Sequence, residues 1–234
     1  MENLKSNEQR AKNAILLIWI ILVLEIVKLI SSYLQYNLLQ TATNGGYISD
    51  EAITANNSRE LIISILHFIA YVISVITFIM WFRRAYYNLH QKVNHLSHSE
   101  GWAVGSWFVP IISLYLPYQI MKEIYVETKE LLNKKGLSEK VNYTTSYLGW
   151  WWTLWIIGII ISNLIFGFKH NTIDNYIVLT IAHMGLNILR ILYTLITIKI
   201  IKDYSKVEPL LNEIGDDVET ITPTNAFPTD EKYS

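Results

Sequence analysis

The chain has 234 residues, 51% of them hydrophobic and 13% aromatic, with a positive mean hydropathy. A net charge of -1 offers nucleic acid no basic surface, and the lack of cysteine excludes disulfides and thiolate metal sites. The apolar residues come in blocks, which excludes an ordinary soluble domain and predicts membrane spans of about 20 residues each.

Residues 1–13 are polar, carry Lys5, Arg10 and Lys12, and read as a cytoplasmic N-terminus. The block after them is too long for the apolar region of a signal peptide and lacks a small-residue cleavage site, so it reads as a retained anchor. Glu2 stands where a myristoylation signal needs Gly. Spans are expected over 14–39, 61–82, 148–168 and 177–201, within a helical membrane domain covering 14–202. The polar stretch 40–59, with Asn44, Gly45 and Gly46 as turn formers, is an outer loop too small for a domain of its own.

Residues 102–121 are apolar but hold Pro110 and Pro117, each of which removes a backbone donor and clashes with the preceding turn. A Pro-broken reentrant segment is therefore expected over about 102–116. An amphipathic helix should follow over about 117–135, lying on the inner membrane surface. Its apolar face is Met121, Ile124, Tyr125, Thr128, Leu131 and Leu132, and Gly136 is a plausible stop. The run Trp150, Trp151, Trp152, with Trp155, reads as an interfacial aromatic belt; an aromatic cage for a cation is the sharper alternative. The acidic, proline-containing tail 203–234 reads as disordered.

Threading follows from the basic residues. With four spans, 15 of the 19 Lys and Arg fall on the cytoplasmic side and only Arg59 and Lys169 outside. If 102–121 also crossed, the five lysines after it would move out and the last span would invert. The expected fold is thus an all-α integral membrane protein of the cell membrane. It has four transmembrane helices, a Pro-broken reentrant segment and a cytoplasmic amphipathic helix, with both termini cytoplasmic.

The stretches WFRRAYYNLHQ, GWAVGSWFVPIISLYLPYQIMKEIY and WWWTLW resemble a bacterial multi-pass membrane family of the domain-of-unknown-function 4328 type. The resemblance covers roughly 78–200. Positions matching its pattern are Trp81, Arg84, Ala85, Asn88, Trp107, Pro110, Pro117 and Glu123, while Ser113 stands where the family often has Asn. The resemblance implies a multi-pass membrane protein, in a bacterial inner membrane, and carries no chemistry.

Ionisable residues inside spans are costly and mark functional or pairing positions. Glu25 and Lys28 lie in the first span and Arg190 in the last, where His183, Asn187, Arg190, Thr194 and Thr197 share one helical face. Glu25 and Arg190 both lie roughly 17 Å from the cytoplasmic ends of their spans and are expected to pair, with Lys28 sharing the carboxylate. Glu25, Lys28, Asn187 and Arg190 form the candidate intramembrane polar network. His67 and His183 both lie roughly 9 Å below the outer surface, a spacing that would suit axial ligands of a haem. His90, His95 and His98 with Glu100 form a cytoplasmic cluster of the kind that can bind metal, although a solvated loop is the simpler reading. No nucleophile elbow, P-loop or HExxH motif occurs.

The leading function is a non-catalytic scaffold or sensor module, with the lipid bilayer and a membrane-protein partner or second copy as its contacts. The alternatives are a small transporter or channel along Glu25, Lys28, Asn187 and Arg190, or a haem or metal redox protein using His67 and His183.

Overall fold

Each of the four expected spans folds within one long helix, because lipid leaves backbone groups no partners but their own. The computed structural model describes residues 4–137, 144–169 and 171–214. Its helices are α1 (Glu8–Thr43), α2 (Asp50–His90), α3 (Trp102–Gly105), α4 (Leu116–Lys134), α5 (Ser146–Gly167) and α6 (Ile173–Val207). Short 3-10 turns cover Ile112–Leu114 and Glu208–Asn212. Four of these helices, α1, α2, α5 and the α6 rod, are long and apolar enough to cross a membrane. Their outward faces carry exposed Leu16, Val23, Ile30, Leu61, Phe68, Leu164 and Ile188, a surface that water would not tolerate. The protein is a multi-pass membrane protein.

The 22 residues of α5 make about 33 Å, close to the thickness of a hydrocarbon core. Helices α1, α2 and α6 are each more than about 50 Å long and project beyond it. The expected outer loop of 20 residues shrinks accordingly. Helix continues to Thr43 and resumes at Asp50, with Gly45 at φ 76° in the turn and Ser49 Oγ accepting from Ala52 N–H. Polar residues outside the bilayer still extend a helix when a neighbouring helix supports them.

The principal packing pairs are α1 with α6, α1 with α2, and α5 with α6. The best-packed region is the end where both described termini meet, here called the basal platform. Phe82, Tyr86 and Leu89 of α2, Ile120, Met121, Ile124 and Leu132 of α4, Trp151 of α5, and Tyr204 and Leu211 are essentially inaccessible there. Three expectations change in this region. The apolar face of α4 is covered by protein rather than laid on lipid: Tyr125 Oη donates to the Ile200 carbonyl at 2.5 Å, and Thr128 meets Tyr204. Only Trp150 of the Trp run faces outward; Trp151 and Trp152 are buried, and Trp152 stacks on Trp155. The supposedly disordered tail is helical to Val207 and turns through Asn212, because Tyr204, Val207, Leu211 and Ile214 all bury apolar side chains. Residues 215–234 lie outside the described part.

Residues 102–116 are one short helix followed by irregular chain and a 3-10 turn. Pro110 precedes Ile111 at φ 67°, ψ -55°, and Ile112 N–H donates to the Pro110 carbonyl, so Ile111 sits at the centre of a strained γ-turn. Pro117 does not interrupt a helix. It occupies the first turn of α4, where its missing N–H costs nothing. Trp107 enters between α2 and α5, touching Phe78, Phe82, Trp151, Trp152 and Trp155 with centroids 5.6–6.5 Å apart.

Candidate functional site

Above the Trp107 wedge the space between α2 and α5 stays open. A cavity of about 470 Å³ lies there, with α1 and α6 as its back wall. Glu25 from α1, His67 and Tyr71 from α2, Trp155, Ser162 and Asn163 from α5, and Arg190 and Tyr193 from α6 all reach it. A second chamber of about 250 Å³, lined mainly by Ile18, Val75, Phe78, Trp107, Phe108 and Trp155, lies towards the platform. The two share Ile21, Tyr71, Trp155, Tyr193 and Thr194.

Glu25 is 2% exposed. Its Oε1 lies 2.7 Å from His67 Nε2, and an ionised carboxylate only accepts, so the imidazole donates. Among the described residues its Oε2 has no hydrogen-bond partner. The expected Glu25–Arg190 ion pair is not formed. Arg190 instead donates to Ser162 Oγ at 3.4 Å and makes no ion pair among the described residues. Both residues line one cavity. The register of α1 against α2 gives Glu25 a different partner. Ser31 lies beside Arg59 and Glu60, with Arg59 Nε donating to Ser31 Oγ at 2.8 Å and Ser31 Oγ donating to Glu60. Residue 61 is therefore level with about Ser31, not with residue 39, which brings His67 down to Glu25.

Lys28 is half-buried and Asn187 is buried, yet neither lines the cavity. The proposed polar pathway is thus split, with Glu25 and Arg190 on the cavity and the other two beside it. His183 is exposed and also absent from the cavity wall, and His67 Nε2 is already engaged by Glu25, so the two histidines do not share this cavity. Of the expected cytoplasmic cluster, His95 meets Glu127 at 3.0 Å, the His98 carbonyl accepts from Tyr86 Oη, and Glu100 accepts from Arg83. Among the described residues no group of three or more His, Asp or Glu is arranged to hold a metal.

The second polar constellation lies in the platform and is invisible to simple motif reading. Glu208 accepts from Asn88 Nδ2 at 2.8 Å and from Asn7 Nδ2 at 3.0 Å. Asn88 also donates to the Lys5 carbonyl and accepts from Lys5 N–H, while Asn7 donates to the Trp81 carbonyl. This clamp joins the start of α1, the end of α2 and the turn after α6. Burial pushes the Glu208 carboxyl up to about 7, against the pull of the two amides and nearby Arg84. Tyr86 is pushed up too, first by burial and then by Glu123, whose Oε2 accepts its hydroxyl at 2.7 Å. The only sequence signal for Glu208 was the spacing of Tyr204, Val207, Leu211 and Ile214 around it, which continues a buried helical face past the apolar block.

The positions that carried the family resemblance gather at this basal end. Trp81 and Ala85 are fully buried, Asn88 is in the clamp, Arg84 lies over the Tyr87 ring, and Glu123 ties Tyr86 and the Ser97 amide together. Trp107, Pro110 and Pro117 shape the wedge and the start of α4. No curated protein and no solved structure matches the chain. The profile of the family described as a domain of unknown function (DUF4328) matches residues 44–206, well over half of the sequence, and the chain belongs to that family.

Proposed function

We propose that this protein is a non-catalytic membrane sensor module whose ligand occupies the space between α2 and α5. The observation that carries the reading is the meeting of Glu25, His67, Ser162 and Arg190, one from each spanning helix, around a cavity of about 470 Å³. A charge in an apolar wall is expensive and is retained where something pairs with it. In this reading the basal platform is cytoplasmic, as the basic residues favour, and Trp107 with its neighbours is a shallow reentrant wedge in the inner leaflet. Exposed Phe108, Ile111 and Tyr115 on that wedge suit contact with lipid. The aromatic plug below the cavity, where Trp107, Trp151 and Trp152 fill one another's space, favours binding over passage across the membrane.

Two measurements test this. The chain has no cysteine, so single cysteines at Asn44 and Lys134 report sidedness directly. Labelling from outside is expected at Asn44 alone, and labelling at Lys134 would refute the threading. For binding, a thermal-shift screen of small molecules on purified protein should find stabilising compounds. A Cβ added at Gly158 would meet only Leu189 Cδ2 at 3.5 Å, so Gly158→Leu should fold and fill the cavity. Stabilisation that survives Gly158→Leu would place the ligand elsewhere, and flux into proteoliposomes without any stabilisation would favour the transporter.

A further inference from the structure

The cavity is lined by two groups of opposite charge that keep hydrogen-bonding capacity in reserve. From α6, Arg190 has five N–H donors and, among the described residues, uses one of them, at 3.4 Å, on the Ser162 hydroxyl. From α1, the Glu25 carboxylate gives one oxygen to His67 and, among the described residues, leaves the other without a partner. The Oε2 atom is shielded in this state, but the terminal torsion of a Glu side chain is soft, so a small turn of the carboxylate presents it to the cavity. Tyr71, Trp155 and Tyr193 also line the cavity, and aromatic rings attract cations. A simple anion would satisfy Arg190 and be repelled by Glu25. A simple cation would do the reverse.

We infer that the cavity binds a zwitterion, with a phosphate or carboxylate on Arg190 and Ser162 and an ammonium on Glu25 against the aromatic rings. This rests on the binding reading above and names the ligand class. The same chemistry is carried by a phosphoethanolamine lipid headgroup and by a free phosphoethanolamine. Two features fit the lipid. The smaller chamber that continues from the cavity towards Trp107 is mainly apolar and can take acyl chain. Ser162, the hydroxyl beside Arg190, also lies only five residues, about 8 Å, from the Gly167 end of α5.

The test is binding to the full chain in neutral detergent, followed by native mass spectrometry and by Trp fluorescence. Four probes separate the possibilities: phosphatidylethanolamine, water-soluble glycerophosphoethanolamine, phosphatidylglycerol as an anion without ammonium, and an alkyltrimethylammonium as a cation without phosphate. Phosphatidylethanolamine should bind at least about tenfold more tightly than the anionic or cationic probe. Binding of glycerophosphoethanolamine at similar affinity would assign the headgroup alone as ligand, and its failure beside lipid binding would assign the lipid; both support a zwitterion. Glu25→Gln should erase the preference over phosphatidylglycerol, and Arg190→Gln should erase the preference over the cation. A merely structural role for either residue would lower all affinities together. Ser162→Ala, a milder change, should weaken only the phosphate-bearing probes and covers the case in which a charge variant fails to fold. Equal binding of phosphatidylglycerol and phosphatidylethanolamine to the unaltered chain overturns the zwitterion while leaving the cavity as a binding site. Absence of binding by all four probes overturns both.

Discussion

Raising the pH should loosen the basal clamp, and Glu208 should account for it. The carboxyl is 6% exposed and titrates near 7 in the folded chain, against an ordinary value of 4.5. A folded-state value above the unfolded one means that the folded chain holds the proton more tightly. The stabilisation is fully present below about pH 4.5 and is lost as pH rises through about 7. A shift of about 2.5 units at about 1.4 kcal/mol per unit gives about 3 kcal/mol in all, of which about 2 kcal/mol falls between pH 5.5 and 8.5. For a chain of this size that is a drop of about 4–8 °C in the midpoint of thermal unfolding. The assay is Trp fluorescence of purified protein melted in detergent at both pH values, beside Glu208→Gln. The amide still offers an acceptor to Asn88 and does not titrate, so the variant should lose most of the pH dependence. If wild type and Glu208→Gln fall in parallel, or if the wild-type midpoint rises with pH, the reasoning is wrong.

A double-mutant cycle of Glu25→Gln with His67→Gln should show a coupling of about 1–3 kcal/mol in melting experiments, and the cycle of Glu25→Gln with Arg190→Gln markedly less; the reverse order would restore the discarded pair. Trp107→Ala should cost about 3–5 kcal/mol, read as a lowered melting midpoint, because the ring touches five other aromatic side chains; a loss below about 1 kcal/mol would mean that the wedge is not packed in the working protein. Ile111→Gly should raise the midpoint by the equivalent of about 1 kcal/mol, because Gly adopts positive φ without strain and the side chain is exposed; destabilisation would show that Ile111 is held by lipid.

The four spans were legible because lipid demands about 20 apolar residues, and few other environments do. That Glu25 and Arg190 sit within spans was legible too, as charges inside apolar blocks. The partner of Glu25 was not, because it depends on the turn at Asn44–Ser49 and on helix continuing into polar sequence, neither of which hydropathy records. Helix α4 shows a different limit. A stripe such as Met121, Ile124, Tyr125 and Thr128 says that one face avoids water, and lipid and protein satisfy it equally. Trp151 and Trp152 misled for the same reason, as an indole fits an interface or a core.

The pairing of α1 with α6 joins the two spans farthest apart in the chain, and that sets an order of assembly. Asn7 meets a carboxylate made 201 residues later. At ribosomal rates of about 5–20 residues per second, α1 waits about 10–40 s in the membrane before α6 exists. Glu25 does not wait so long, since His67 follows 42 residues behind it and emerges within about 2–8 s. A carboxylate reserved for Arg190 would face nascent lipid, insertion machinery and quality-control proteases throughout that delay. Taking its imidazole from the adjacent hairpin shelters it early, and leaves the arginine to arrive last with its valences unspent.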